Sequence, residues 1–352
     1  MSIAHIARPG IRAMKPYAAA EQIQETVRLN ANEAPWHSPL DNFRRPLNRY
    51  PEIRPTAVRG ALAGHYGVDV SQLAVTRGSS EAIDLLIRIF CREGQDNIVT
   101  IVPGFSMYRH YALVQGADVR EVRSDPDENF AVAASDVLAA CDQNSRIVFL
   151  CSPNNPTGTI LSQETLVAIL DARMNTSAVV LDEAYIEFSG EHSAIRLLEE
   201  YPNLIVLRTL SKAFAAAGAR CGVALGDRAI IDMLDAVQAP YAIATPVVEW
   251  VEDALQADAL AEAATHVAGI CAERERLLGR LQQFAFIEHI WPSAANFLLV
   301  RLCNVQDVLT QSREDRVLLR HFGGELNNCL RITVGSREEN ERLLQSFARV
   351  GG

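Results

Sequence analysis

Leu204-Ile205-Val206-Leu207-Arg208-Thr209-Leu210-Ser211-Lys212-Ala213-Phe214 is the stretch on which the reading of this chain turns. It opens with four apolar residues, two of them β-branched, which read as a short buried strand. The strand delivers Ser211 and Lys212 just beyond its carboxyl end. Lys212 is one of only two lysines among the 33 cationic residues; the other, Lys15, stands beside Pro16 near the N-terminus and reads as a surface charge. Arginine replaces lysine wherever a solvated charge is all that is needed. It cannot do so where a neutral amine must attack a carbonyl, because a guanidinium keeps its proton while a desolvated ammonium can lose it. A lysine kept at a strand end in a chain that otherwise uses arginine is a candidate Schiff-base residue.

The same pattern repeats on either side. Strands are expected at Ile98–Val102, Asp118–Val122, Arg146–Cys151, Ala178–Leu181 and Gly222–Leu225, with helical segments between them. One segment, Ser80–Phe90, has apolar residues at 83, 86, 87 and 90, and Ser79 is its expected N-cap. Alternating strands and helices from about residue 70 to 226 predict an α/β fold: a mainly parallel sheet sandwiched by helices. Beyond Pro240 come a long, Ala- and Glu-rich helical stretch with few breakers, Glu249–Leu281, strands Phe297–Arg301 and Leu330–Val334, and a last helix from about Arg337 to Val350. These predict a smaller α+β domain. The expected organisation is an N-terminal arm, 1–28, that packs elsewhere, a large domain, 29–240, and a small domain, 241–352.

Composition bounds the function. With 352 residues, 49% hydrophobic and 22% charged, the chain reads as globular and long enough for two cores. A net charge of −10, with no basic run longer than Arg44-Arg45, argues against nucleic acid or an anionic membrane as partner, though not against a small anionic ligand. The seven cysteines form no CxxC pair, which argues against a metal site or disulfide framework and favours a reducing compartment. The N-terminus lacks a signal-peptide core and no apolar run approaches a membrane span, so a cytoplasmic location is expected.

Ligands of an open parallel sheet bind beyond the carboxyl ends of its strands, so the residues just past each strand are informative. After Thr76 come Gly78, Ser79 and Ser80 at a helix start, where free N–H groups, hydroxyls and dipole suit a phosphate, or where an ordinary cap would stand. Ser211 and Arg220 could bind the same phosphate or form a cap and a salt bridge. Asp182 ends a buried strand and needs a cation, either a structural arginine or a protonated heteroaromatic nitrogen. Asn155 and Tyr185 could hydrogen-bond a phenolate, or brace a turn and pack. Phe105 could stack on a flat ring or belong to the core. One explanation covers all of them together: a lysine for an aldehyde, an aspartate for a pyridinium and a phosphate cup describe pyridoxal 5′-phosphate.

With these segments in place, the chain resembles the class I/II aminotransferases, fold-type I pyridoxal-phosphate enzymes with an aspartate-aminotransferase-like large domain. The similarity runs over LNANEAP from Leu29, NRYPE from Asn48, TRGSSEAI from Thr76, CSPNNPTG from Cys151, LDEAYIEF from Leu181, LRTLSKAFAAAGARCG from Leu207 and LRITVG from Leu330. RYPE, RTLSKAF with its Gly-x-Arg, and LRITVG resemble the histidinol-phosphate branch more narrowly. The resemblance implies that Lys212 carries the cofactor and shuttles a proton, and that Asp182 faces the pyridine nitrogen. Asn155 and Tyr185 would bind the phenolic oxygen, and Phe105 would stack on the ring. Gly78, Ser79, Ser80, Ser211 and Arg220 would hold the phosphate, helped by Tyr50 of a second subunit in a homodimer. Arg331, Arg320 and Tyr17 would meet the substrates, histidinol phosphate and glutamate or 2-oxoglutarate. The chain departs from many relatives in having Phe105 where they carry Tyr, and Ser79-Ser80 where an acidic or amide residue is common. An aromatic amino-acid aminotransferase and a threonine-phosphate decarboxylase are the alternatives on the same scaffold. An effector-binding module of a transcription regulator is a third, disfavoured because nothing of helix-turn-helix character precedes the fold.

Overall fold

The computed structural model describes residues 2–17, 22 and 28–350. Seven strands form the first sheet: β1 Leu73–Thr76, β2 Asn97–Val102, β3 Asp118–Arg123, β4 Ser145–Cys151, β5 Ala178–Asp182, β6 Leu204–Thr209 and β7 Gly222–Gly226. Their order is β1-β7-β6-β5-β4-β2-β3, and every pairing is parallel except those of β7 with β6 and β1. The central strands are apolar in nearly every position because both faces are covered. Alternate residues separate accordingly. Val148, Leu150, Val179, Leu181, Leu204 and Val206 enter one core, while Phe149, Val180, Ile205 and Leu207 enter another on the opposite face. The order of strand connection reverses at β2, which has β3 on one side and β4 on the other, and this switch opens a crevice at the carboxyl ends.

The second sheet is antiparallel: β8 Ile287–Ile290, β9 Phe297–Leu302, β10 Arg320–His321 and β11 Cys329–Thr333, in the order β10-β11-β9-β8. Its core combines Leu298, Val300, Leu330 and Ile332 with Leu277, Leu281 and Phe347 from two helices. Register places Arg320 directly opposite Arg331, so β10 and β11 present two arginines side by side. No described helix is long and apolar enough to cross a membrane.

Four expectations need correction. Ser79 is not the cap of its helix: it is the first helical residue of Ser79–Phe90, and Gly78, at φ 75°, takes the cap position without a side-chain bond. The stretch Glu249–Leu281 is two helices, Thr245–Ala254 and Ala257–Leu281. Val248 and Val251 of the first pack into the large-sheet core while Leu277 and Leu281 of the second pack under the small sheet. One straight helix cannot serve both, so the chain turns at Leu255 and Gln256. The last helix stops at Phe347; its start is fixed by a capping box between Ser336 and Glu339. The beginning of the expected arm packs on its own body rather than elsewhere. Ile3–Ile6 and Pro9–Arg12 are short helical turns, and Ile3 is fully buried among Ile83, Ile230 and Leu234. Positions 1, 18–21 and 23–27 of that arm lie outside the described residues. Strands β8 and β10 were not expected, since Glu288 and His289 interrupt one and the other has two residues.

Candidate active site

Five strand ends meet at a cleft of about 510 Å³. The turn after β1 supplies Gly78, Ser79 and Ser80, that after β2 Phe105, that after β4 Asn155, that after β5 Tyr185, and that after β6 Ser211 and Lys212; Asp182 is the last residue of β5. Arg220 reaches in from the turn before β7, and Arg320 and Arg331 from the small sheet. Twelve expected site residues thus converge. Tyr50 and Tyr17 do not line this cleft. Tyr50 is half exposed and stacks on Tyr241, with ring centroids 4.6 Å apart. Tyr17, also exposed, lies close enough to Tyr241 to act on its charge.

One wall is an anion cradle. The helix Ser79–Phe90 starts at the cleft and presents free N–H groups with the positive end of its dipole. Arg220 lies against Gly78 so closely that a Cβ there would come within 2.7 Å of Nη2, and φ 75° disfavours any other residue. Gly222 is required for a similar reason: a Cβ would meet the Ser79 amide nitrogen at 2.6 Å and the Arg208 carbonyl oxygen at 2.9 Å. The cradle exists only because two backbones are allowed to touch. Ser211 adds a hydroxyl, held by a 2.9 Å bond from Thr209 Oγ1.

The opposite end is built around charge. Asp182 is buried, and its Oδ1 accepts from the Ala184 amide at 3.1 Å and its Oδ2 from the Tyr108 hydroxyl at 3.0 Å. Burial pushes its carboxyl up to about 6, against the pull of those two bonds and of Lys212. Burial lowers the Lys212 ammonium, and the Arg331 and Arg220 guanidiniums lower it further, while Asp182 opposes them. A lysine so placed gives up its proton more readily than a free one. Tyr185 is pushed up by burial; its hydroxyl accepts from Asn155 Nδ2 at 3.3 Å, and Asn155 Oδ1 accepts from Arg331 Nη1 at 2.5 Å. Arg331 Nε is buried with no hydrogen-bond partner among the described residues, and its guanidinium lies over Phe297 and Phe322. Arg320 lies over the same Phe322 ring at 5.4 Å.

These residues fit pyridoxal phosphate. The cradle between Gly78 and Arg220 offers an anion its donors, the buried Asp182 carboxylate has no ion-pair partner in contact among the described residues, and Lys212 between them is shifted toward the neutral amine. Among known families the chain matches the one described as aminotransferase class I and II, over residues 19–347. The chain belongs to this family.

The aminotransferase is 38% identical over 351 residues to the histidinol-phosphate aminotransferase of Salmonella choleraesuis, covering 99% of this chain and 97% of that protein. It is 37% identical to the Yersinia enterocolitica enzyme of the same name, over 100% of this chain and 94% of that protein. Among solved structures it resembles histidinol-phosphate aminotransferase from Sinorhizobium meliloti in complex with pyridoxal 5′-phosphate. There the TM-score is 0.78 at 25% identity, over 86% of this chain and 83% of that one. Pyridoxal phosphate is the cofactor of the family.

Three parts of the aminotransferase site escaped the reading of the sequence. Tyr108 reads as a core aromatic, and only the fold shows its hydroxyl on Asp182. Arg208, inside β6, pairs with Glu183 at 3.5 Å and Glu187 at 2.6 Å, all three largely buried. It thereby ties the end of β5 to the strand that leads to Lys212. The acidic pair after Asp182 was a usable signal for such a partner; nothing local singled out Tyr108. Phe322 lines the cleft from a loop with no regular period.

Proposed function

We propose that this aminotransferase exchanges the amino group between L-histidinol phosphate with 2-oxoglutarate and 3-(imidazol-4-yl)-2-oxopropyl phosphate with L-glutamate, in histidine biosynthesis. The observation that carries the substrate is the similarity to enzymes of that name over 99% and 100% of this chain. We read the seven-stranded body as the cofactor domain and the four-stranded body as the domain that brings substrate-binding arginines to it. Its free cysteines favour a cytoplasmic setting.

When bound, pyridoxal phosphate supplies an aldehyde for amines to condense with and a ring that holds the electron pair left at the substrate Cα. Gly78, Ser79, Ser80, Ser211 and Arg220 would anchor its phosphate. Asp182, as a carboxylate, would hold a proton on the pyridine nitrogen, Asn155 and Tyr185 would bind the phenolic oxygen, and Phe105 would cover one ring face. Lys212 Nζ, neutral once its proton has left, would take the proton from the substrate Cα. Arg331 and Arg320 would orient the substrate through its anionic end; two guanidiniums on one aromatic ring suit a dianion such as phosphate and also the carboxylates of glutamate. Tyr17 would close on the same end of the substrate.

A homodimer is part of the proposal. Leu29, Trp36, Leu40 and Tyr50 expose apolar surface on one segment, 29–50, and Tyr50 stands outside its own cleft, where it could reach the phosphate of a second copy. The test is the visible spectrum of the cofactor-loaded protein mixed with L-histidinol phosphate, phenylalanine or O-phosphothreonine. Fastest bleaching with histidinol phosphate is the expected result. Bleaching with phenylalanine alone, or CO₂ release from phosphothreonine, would overturn the substrate assignment.

A further inference from the structure

We infer that Tyr108 is a positioning residue for Asp182: its buried hydroxyl orients the carboxylate and keeps it ionised for the cationic ring nitrogen it must face. The inference rests on the proposed role of Asp182. The geometry is specific. Tyr108 comes from the helix Met107–Gln115, which packs on the sheet at β2 and β3, and its ring lies flat on Phe149 of β4 with centroids 4.7 Å apart and planes 7° from parallel. Phe105, the residue expected to cover the cofactor ring, packs edge-on against it at 5.6 Å. With the ring held on two sides, the hydroxyl is set against Asp182 Oδ2 at 3.0 Å, with the Cys151 thiol beside it.

The groups that face Asp182 make this bond decisive. From the turn just after β5 come the Ala184 amide on Oδ1 and the neutral Tyr185; from β4 comes Cys151, the ladder partner of Asp182, whose thiol burial pushes far up and keeps neutral. After β6 comes Lys212, among the described residues the one cation that faces it, itself weakened by burial and by two arginines. Tyr108 is pushed well above its ordinary value, chiefly by burial, and so remains a donor at every working pH. A carboxylate in an apolar site retains its charge only through the hydrogen bonds it accepts. Each oxygen of Asp182 accepts one such bond from the protein, and among the described residues Tyr108 is the only side chain that gives one.

The experiment measures pyridoxal phosphate affinity against pH, by quenching of intrinsic fluorescence, for the wild-type protein and the variants Asp182→Asn, Tyr108→Phe and Phe149→Leu. Wild type should show a step in affinity as Asp182 ionises, and Asp182→Asn should lack it. Tyr108→Phe keeps the ring stack and removes one oxygen, so the step should remain but its midpoint should rise by about one to two pH units, a 10- to 100-fold change in proton affinity, roughly that of one charge-assisted hydrogen bond. Phe149→Leu disturbs packing and leaves the hydroxyl, so its midpoint should stay with wild type. A Tyr108→Phe curve lowered equally at all pH values, with an unmoved midpoint, would overturn the inference and leave a packing role only. A step that survives in Asp182→Asn would instead overturn the reading of Asp182 from which the inference starts.

Discussion

Replacing Asp182 by Asn should stabilise the cofactor-free protein while weakening its hold on the cofactor. The carboxyl is raised from an ordinary 3.8 to about 6 by burial. Between those two values the folded state keeps a proton that the unfolded chain has already released, so stability falls as pH rises through the window and is flat above it. A shift of roughly two units corresponds to about 3 kcal/mol lost by the folded protein above the raised value, at about 1.4 kcal/mol per unit. Asparagine has the same shape and no charge to lose, and the Tyr108 hydroxyl, able to donate or accept, remains its partner. The variant should match wild type at about pH 4 and exceed it by about 3 kcal/mol at about pH 8. Urea midpoints of both proteins, stripped of cofactor and followed by circular dichroism across that range, give the gap directly. A gap that is absent at high pH, or that does not vary with pH, would refute the reasoning. The added stability would show that the carboxylate is kept for the ligand and at the expense of the fold.

Two other substitutions probe the supports of the site. Gly222→Ala would press a methyl group against the Ser79 amide and the Arg208 carbonyl; we expect a loss of about 1–3 kcal/mol and weaker cofactor binding, read from thermal melts with and without pyridoxal phosphate. Unchanged values would mean the two backbones can part freely. Arg208→Met leaves Glu183 and Glu187 facing each other without their cation, which should cost about 3–5 kcal/mol near neutral pH. Acid should relieve part of that loss by protonating Glu183, whose carboxyl burial already pushes up. A loss under about 1 kcal/mol, the scale of a surface pair, would show that the clasp is solvated.

Residue order alone was enough for the α/β class, because near-continuous apolar strands such as Val179–Leu181 and Ile205–Leu207 make sense only when both faces are covered. It was also enough to pick out most residues of the candidate cleft, because strand ends are short and local: a lysine, an aspartate or a Gly-Ser-Ser turn lies within a few residues of the strand that presents it. Relations between distant segments were beyond its reach. The pairing of Arg320 with Arg331 depends on the register of a two-residue strand, and the Tyr108–Asp182 bond joins residues 74 apart. The break at Leu255 reflects two ends of a helical stretch that belong to different cores, although its local propensity favours continuity. Residue type and short-range period set what each element is. The packing of one element on another sets which buried groups find partners, and that information exists only in the folded chain.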